Sequence, residues 1–184
     1  ITILLTVLLS VTCAKALAHD IVADNADGVT IYYSWINNNT ELEVSYRGSS
    51  SSSYTNEYFG NVIIPATVVY QGSKYKVTAI GYCAFEECTN LTSVSIPNSV
   101  RYIGTKAFSG CNEITKITVG KGVTSIGEYA FSGCSKLKSI SLPNNITAIS
   151  DYAFSSCSAL TSFVIPNSVT SIGRYAFSGA NRLN

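Results

Sequence analysis

The chain has 184 residues, 12 of them basic and 11 acidic, with one histidine and only 12% charged residues. A formal charge of +1 supplies no broad field for drawing it onto nucleic acid or anionic lipid, and neither partner is expected. Ser, Thr, Asn and Tyr dominate the polar composition, which suits a hydrogen-bonding surface.

Ile1 to Ala14 carry no charge, and Ala16-Leu17-Ala18 supplies the small-x-small pattern of a signal-peptidase site. Residues 1–18 therefore read as a secretory signal peptide without its initiator Met and basic segment. The apolar run is shorter than the ~20 residues a spanning helix needs, so no membrane span is expected in the visible fragment. Lipidation at Cys13 is the rival reading, and Thr12 before it makes a poor lipobox. A mature chain beginning near His19 places the protein outside the cell, secreted or on the cell surface.

Residues 19–61 show no long-period beat. Val29 to Trp35 and Glu41 to Tyr46 are rich in β-branched and aromatic residues and flank Asn37-Asn38-Asn39, a pattern that predicts a hairpin in an N-terminal β cap. Ser49 to Ser53 predicts a loop. From Val62 onward, residues 62–184 read as one repeat array. The first repeat is degenerate, because Pro65 and Pro97 are 32 residues apart where the later beat is 23. The nine-residue excess falls near residues 69–76, where Gly72-Ser73 between β-prone arms predicts an inserted hairpin.

Four regular repeats then begin at Leu91, Ile114, Leu137 and Leu160. Apolar columns run through them: Val94, Ile117, Ile140 and Phe163; Ile96, Val119, Leu142 and Ile165; Ile103, Ile126, Ile149 and Ile172. No single turn of chain has a core of its own, so each must bury these columns against its neighbours. Alternation at Val94-x-Ile96 predicts a short parallel strand. Pro97, Pro143 and Pro166 end it, with Gly120 once in their place. Gly104, Gly127 and Gly173 mark the next corner, where Ser150 is the exception. The Ala-Phe-x-x-Cys stretch after it is expected to form a short helical or 3-10 turn. Phe85, Phe108, Phe131, Phe154 and Phe177 mark the beat, and Cys88, Cys111, Cys134 and Cys157 form a second ladder. A period between 20 and 29 residues with a Leu-x-x-Leu-x-Leu core is the signature of a leucine-rich repeat solenoid. The chain stops at Asn184 without a polar capping sequence, which predicts a truncated C-terminus.

The recurring "LxxIxLPxSVTSIGxxAFxxCxx" resembles the repeat of the BspA-like, Treponema-type leucine-rich repeat proteins over about Val62 to Asn184. That resemblance implies a secreted or surface-displayed protein with a binding role, such as an adhesin for an extracellular protein or glycan. It implies no site residues, since the family has no shared catalytic motif.

Among columns able to carry chemistry, the Cys ladder is expected to be buried free thiols. Translated copies hold their Cβ atoms a layer apart, beyond the separation a disulfide prefers. Cys83 stands in a different column and is read as an exposed thiol. Tyr129, Tyr152 and Tyr175 should stack along the outer face, either presenting rings to a sugar or protein or merely covering the Phe column. The outward strand positions offer small hydroxyls and one cation, Lys116, so Lys116 and the three tyrosines are the candidate ligand contacts. Trp35, Tyr32, Tyr33, Tyr54, Tyr58 and Phe59 furnish the cap, as core or as contacts. No cofactor or metal is expected, because no CxxC or Cys/His cluster exists. No enzyme is expected either: His19 abuts the cleavage site, and Glu128 and Asp151 share a mixed-charge column with Arg174. Asn38, Asn90 and Asn145 head N-glycosylation sequons. The reading is a secreted or surface adhesin or binding module. A passive stalk for a missing C-terminal region and a non-catalytic part of a larger secreted enzyme remain open beside it.

Overall fold

The computed structural model describes residues 20–46 and 57–183; the expected signal peptide, the Ser49–Ser53 run and Tyr54 lie outside them. Strands β1 (Ile21–Asp24), β2 (Thr30–Ile36) and β3 (Glu41–Ser45) form an antiparallel sheet. The β2–β3 turn is made by Asn37, Asn38 and Asn39 with φ of +51°, +56° and +62°. Asparagine is among the few non-glycine residues that tolerate this left-handed region. Ile31, Tyr33, Leu42 and Val44 are buried beneath the sheet. Tyr58 closes it, its hydroxyl donating to Ser45 O at 2.9 Å and accepting from Tyr32 N at 3.2 Å.

The cap is continuous with the solenoid. Strand β3 pairs in parallel with β6 (Ser73–Ile80), and β6 pairs with β8 (Tyr102–Ile103) and β8 with β10 (Ser125–Ile126). The N-terminal half of β6 also forms an antiparallel hairpin with β5 (Thr67–Tyr70) about Gln71-Gly72. Trp35 packs edge-on against Tyr70 at 6.0 Å and Tyr75 at 4.7 Å, joining the two hairpins. A salt bridge of 2.6 Å from Arg101 to Glu41 adds a second tie. On the concave side β4 (Gly60–Ile63), β7 (Leu91–Ser95) and β9 (Lys116–Thr118) form a parallel ladder.

The expected helical turn is not what the Ala-Phe-x-x-Cys arm forms; among the described residues there is no helix. Ala107, Ser109 and Cys111 donate N–H three residues back, to Gly104, Lys106 and Phe108 O at 3.1–3.3 Å. Lys106, Phe108 and Gly110 instead donate across to Glu128, Ala130 and Ser132 of the next layer at 2.8–2.9 Å. A 3-10 helix would send every donor three residues back. Stacking claims alternate donors, so the arm is a chain of β-turns. The first turn of the arm is of the type that needs φ > 0 at its third residue, and Lys106, Tyr129, Tyr152 and Tyr175 supply it with φ between +55° and +58°.

Phenylalanine rings stack through the centre at 4.9, 5.4, 5.2 and 5.5 Å from Phe85 to Phe177. Phe85, Phe108, Phe131 and Phe154 are fully buried. In the last described layer the columns open: Ile172 is 48% exposed against 2% for Ile149.

The strand ladders lapse once. Strands β11 (Ser139–Ile140) and β13 (Ser162–Phe163) pair with each other, as do β12 (Ala148–Ile149) and β14 (Ser171–Ile172), but neither pair joins β9 or β10. The boundary coincides with Ser150. Gly104, Gly127 and Gly173 donate N–H to Ile80, Ile103 and Ile149 O at 2.7–2.8 Å. A Cβ at Gly127 would stand 2.5 Å from Thr105 N, an impossible approach. Ser150 carries that Cβ, and its hydroxyl rather than its N–H reaches Ile126 O. The layers part there in both strands, while the turn arm stays closed through Phe131 N to Ala153 O at 2.8 Å.

Candidate functional site

The concave face is built from the outward positions of successive parallel strands. One column holds Asn61, Ser93, Lys116, Ser139 and Ser162; the next holds Ile63, Ser95, Thr118, Ser141 and Val164. Two open hollows lie along it. The smaller, about 210 Å³, spans Asn61 and Ile63 to Lys116 and Thr118. The larger, about 700 Å³, runs from Thr118 and Val119 across Leu142 and Pro143 to Val164, over the boundary where the ladders lapse. Thr118 borders both, so they form one groove. Ser93 Oγ donates to Asn61 Oδ1 at one end; Val164, 79% exposed, stands at the other.

Charge in the groove is one-sided. Lys116 lines the smaller hollow and Lys121 the larger, both exposed, and no Asp or Glu lines either. The salt bridges of the described residues join Arg101 to Glu41, Lys106 to Glu86 and Lys136 to Glu113, leaving both groove lysines outside them. Lys121 anchors its backbone instead, donating N–H to Asn98 Oδ1 at 2.8 Å and accepting from Asn145 Nδ2 at 2.7 Å. The three sequon asparagines Asn38, Asn90 and Asn145 are all exposed, and the Asn145 amide is engaged by this bond.

Tyr129, Tyr152 and Tyr175 form a stack with centroids 4.6 and 5.1 Å apart. Facing rings cover one another, so the stripe offers edges and hydroxyls to solvent, and among the three the outer face of Tyr175 lies open. Burial, followed by the neighbouring phenols Tyr129 and Tyr175, raises the Tyr152 hydroxyl above the ordinary tyrosine range. Stacking also accounts for tyrosine at a left-handed position. That conformation costs an L-residue ~1–2 kcal/mol, and an aromatic pair returns ~0.5–1.5 kcal/mol.

The Cys ladder is engaged in the core. Cys111, Cys134 and Cys157 donate Sγ–H to Phe85, Phe108 and Phe131 O at 3.0, 3.3 and 3.2 Å. Burial raises the Cys111 and Cys134 thiols far above their usual range and pushes Cys157 up to about 12. No disulfide joins any of the five described cysteines. Cys83 is not the exposed thiol that its column suggests: it is 2% exposed, because the cap packs over the first layer and brings Tyr46 and Glu43 alongside. In the mixed-charge column Asp151 Oδ1 accepts N–H from Arg174 at 2.7 Å, which makes it a cap on the next layer. Tyr33 and Tyr58 are cap core, Tyr32 and Trp35 are half-buried, and Phe59 is 71% exposed.

A family model described as "BspA type Leucine rich repeat region (6 copies)" matches residues 50–184. The chain belongs to the BspA-type leucine-rich repeat family. It is similar to the solved leucine-rich repeat protein of T. pallidum, with TM-score 0.73 and 28% identity over 88% of this chain and 69% of that one. A leucine-rich repeat protein from Bacteroides capillosus ATCC 29799 aligns with TM-score 0.52 and 25% identity over 78% of this chain and 93% of its own. A leucine rich cell surface protein from Faecalibacterium prausnitzii A2-165 shares the fold, with TM-score 0.54 at 22% identity over 90% of this chain and 54% of that one. No curated protein matches.

Within this BspA-type array the residue that sequence reading passed over is Lys121. The signal lay in the period. Where the Leu91 and Leu160 repeats read "VSIPNSV" and "FVIPNSV", the Ile114 repeat reads "ITVGKGV". That departure puts Lys116, Thr118 and Lys121 on one side of the groove. No helix among the described residues is long and apolar enough to cross a membrane.

Proposed function

We propose that this chain is a secreted or cell-surface binding module of the adhesin type, which engages an extracellular protein or glycan through its concave groove. The observation that carries the reading is the groove itself: an open hollow of about 700 Å³ on the stacked layers, beside the repeat that reads "ITVGKGV". Ligand sites favour such concavities, with an apolar lining and few polar groups. BspA-type membership supports a binding role, and the uncharged run from Ile1 to Ala14 supports export. Binding without catalysis fits the engaged state of Asp151 and the raised thiols.

The test is a binding screen of residues 19–184 against extracellular-matrix proteins, mucin and a glycan array. Beside it runs a variant with Tyr129, Tyr152 and Tyr175 changed to Ser. A saturable hit retained in the folded Tyr variant is expected, with contacts in the groove. Loss of the hit in a folded variant would move the site to the Tyr stripe. Absence of any hit from well-folded protein would favour a passive stalk.

A further inference from the structure

We infer that the groove takes an extended acidic polypeptide segment bearing aliphatic side chains, an assignment that rests on the binding role proposed above. Two features decide the chemistry. Lys116 and Lys121 are exposed, stand outside the described salt bridges, and have no carboxylate among the groove-lining residues. In a chain with 12 basic and 11 acidic residues, a surface with two cations and no anion is complementary to a negative partner. Beside Lys121, Val119, Leu142, Pro143 and Val164 give the larger hollow aliphatic surface among Ser and Asn side chains. No aromatic ring lines either part, so the flat face on which a sugar ring would stack is missing there. An acidic glycan would find the cations without the platform; an acidic peptide with Leu or Val finds both charge and apolar surface. The outward columns cross five strands at roughly 4.8 Å per layer, and that span seats about six extended residues.

Three departures of the Ile114 repeat fall at or beside this surface. Lys116 replaces the Ser of neighbouring strands, and Lys121 replaces the Asn found at Asn98, Asn144 and Asn167. Gly120 replaces proline at the same corner.

The test uses the whole chain and fluorescence anisotropy with a labelled short peptide of alternating Glu and Leu. Its Lys/Leu counterpart and heparin- and hyaluronan-derived oligosaccharides serve as comparison probes. The expected result is saturable binding of the Glu/Leu peptide, weakened at least tenfold in K116E/K121E and severalfold in V164S, and none of the Lys/Leu peptide. Both lysines are exposed, so the double variant should keep the wild-type melting temperature. Peptide binding unchanged in K116E/K121E would overturn the assignment. So would oligosaccharide binding that this variant abolishes while the peptide fails to bind. A matrix-protein hit insensitive to K116E/K121E would sink the groove chemistry and leave the wider binding role standing, whereas no binding to any probe or screen partner would remove both.

Discussion

At the residue scale, the Phe column and the Cys column solve different parts of one problem. A layer buries its side chains only against its neighbours, so a position repeated every 23 residues must tolerate a copy of itself about a strand spacing away. A flat ring does this by stacking. Phe131 lies 5.4 Å from Phe108 and 5.2 Å from Phe154 with none of its surface exposed. Phe131→Ala should destabilise by roughly 3–5 kcal/mol, since stacked layers cannot collapse into the cavity; denaturant unfolding beside a surface Ser→Ala control measures it, and equal stabilities would sink the packing. A thiol does it by being small and by donating to the carbonyl of the Phe in the preceding layer. With burial opposing the thiolate at Cys111, Cys134 and Cys157, the nucleophilic form is suppressed. Thiol titration of the described cysteines should give almost no reaction in native protein, Cys83 included, and five reactive groups in denaturant. Rapid native labelling at Cys83 would show that the cap does not close over it.

Among the elements, the corner after the second strand decides how tightly layers pair. Glycine there lets the backbone approach so closely that a Cβ would collide with the preceding layer, and Ser150 is the exception at the one boundary where both ladders lapse. Ser150→Gly should therefore let the N–H of residue 150 bond Ile126 O directly and draw β11 and β12 toward β9 and β10. The expected gain is about 0.5–1.5 kcal/mol for the restored bonding, offset in part by the flexibility of glycine in the unfolded chain. Amide exchange at Ser139, Ile140 and Ala148 should slow; unchanged exchange would mean that another residue holds the layers apart. Most of this fold was legible in the sequence because a solenoid repeats its physics: Val94, Ile96 and Ile103 recur, so their inward direction follows from period alone. What periodicity could not give was anything set by contact between unlike segments. Burial of Cys83 depends on the cap arriving from residues 41–46, and the β-turn chain depends on donors claimed by the next layer. The groove was half legible: Lys116 stood out in its column, whereas Lys121 needed the structure to show that it lines the adjoining hollow.

Across the whole molecule, stability should be graded along the solenoid axis. Repeat arrays hold together by nearest-neighbour interfaces, so a layer's resistance to opening depends on how many of its faces are covered. At the N-terminal side the first layer is covered by the β1–β3 sheet through the β3–β6 pairing, with Trp35 against Tyr70 and Tyr75 and Glu41 against Arg101 as cross-ties. The central layers have Phe108, Phe131 and Phe154 wholly buried. In the layer from Leu160 to Leu183, Ile165 and Ile172 are each 48% exposed and Phe163, Val169 and Phe177 only partly buried, so that layer contributes fewer apolar contacts. Local opening free energies follow such differences in buried apolar contact. Native-state hydrogen exchange should thus show weakest protection over residues 161–183, rising to the global limit in the turn arms at Phe108 and Phe131 and remaining high at Leu42 and Val44. Uniform protection along the axis would contradict the graded picture: the array would then unfold as one unit, and the Ser150 boundary would have no separate energetic standing.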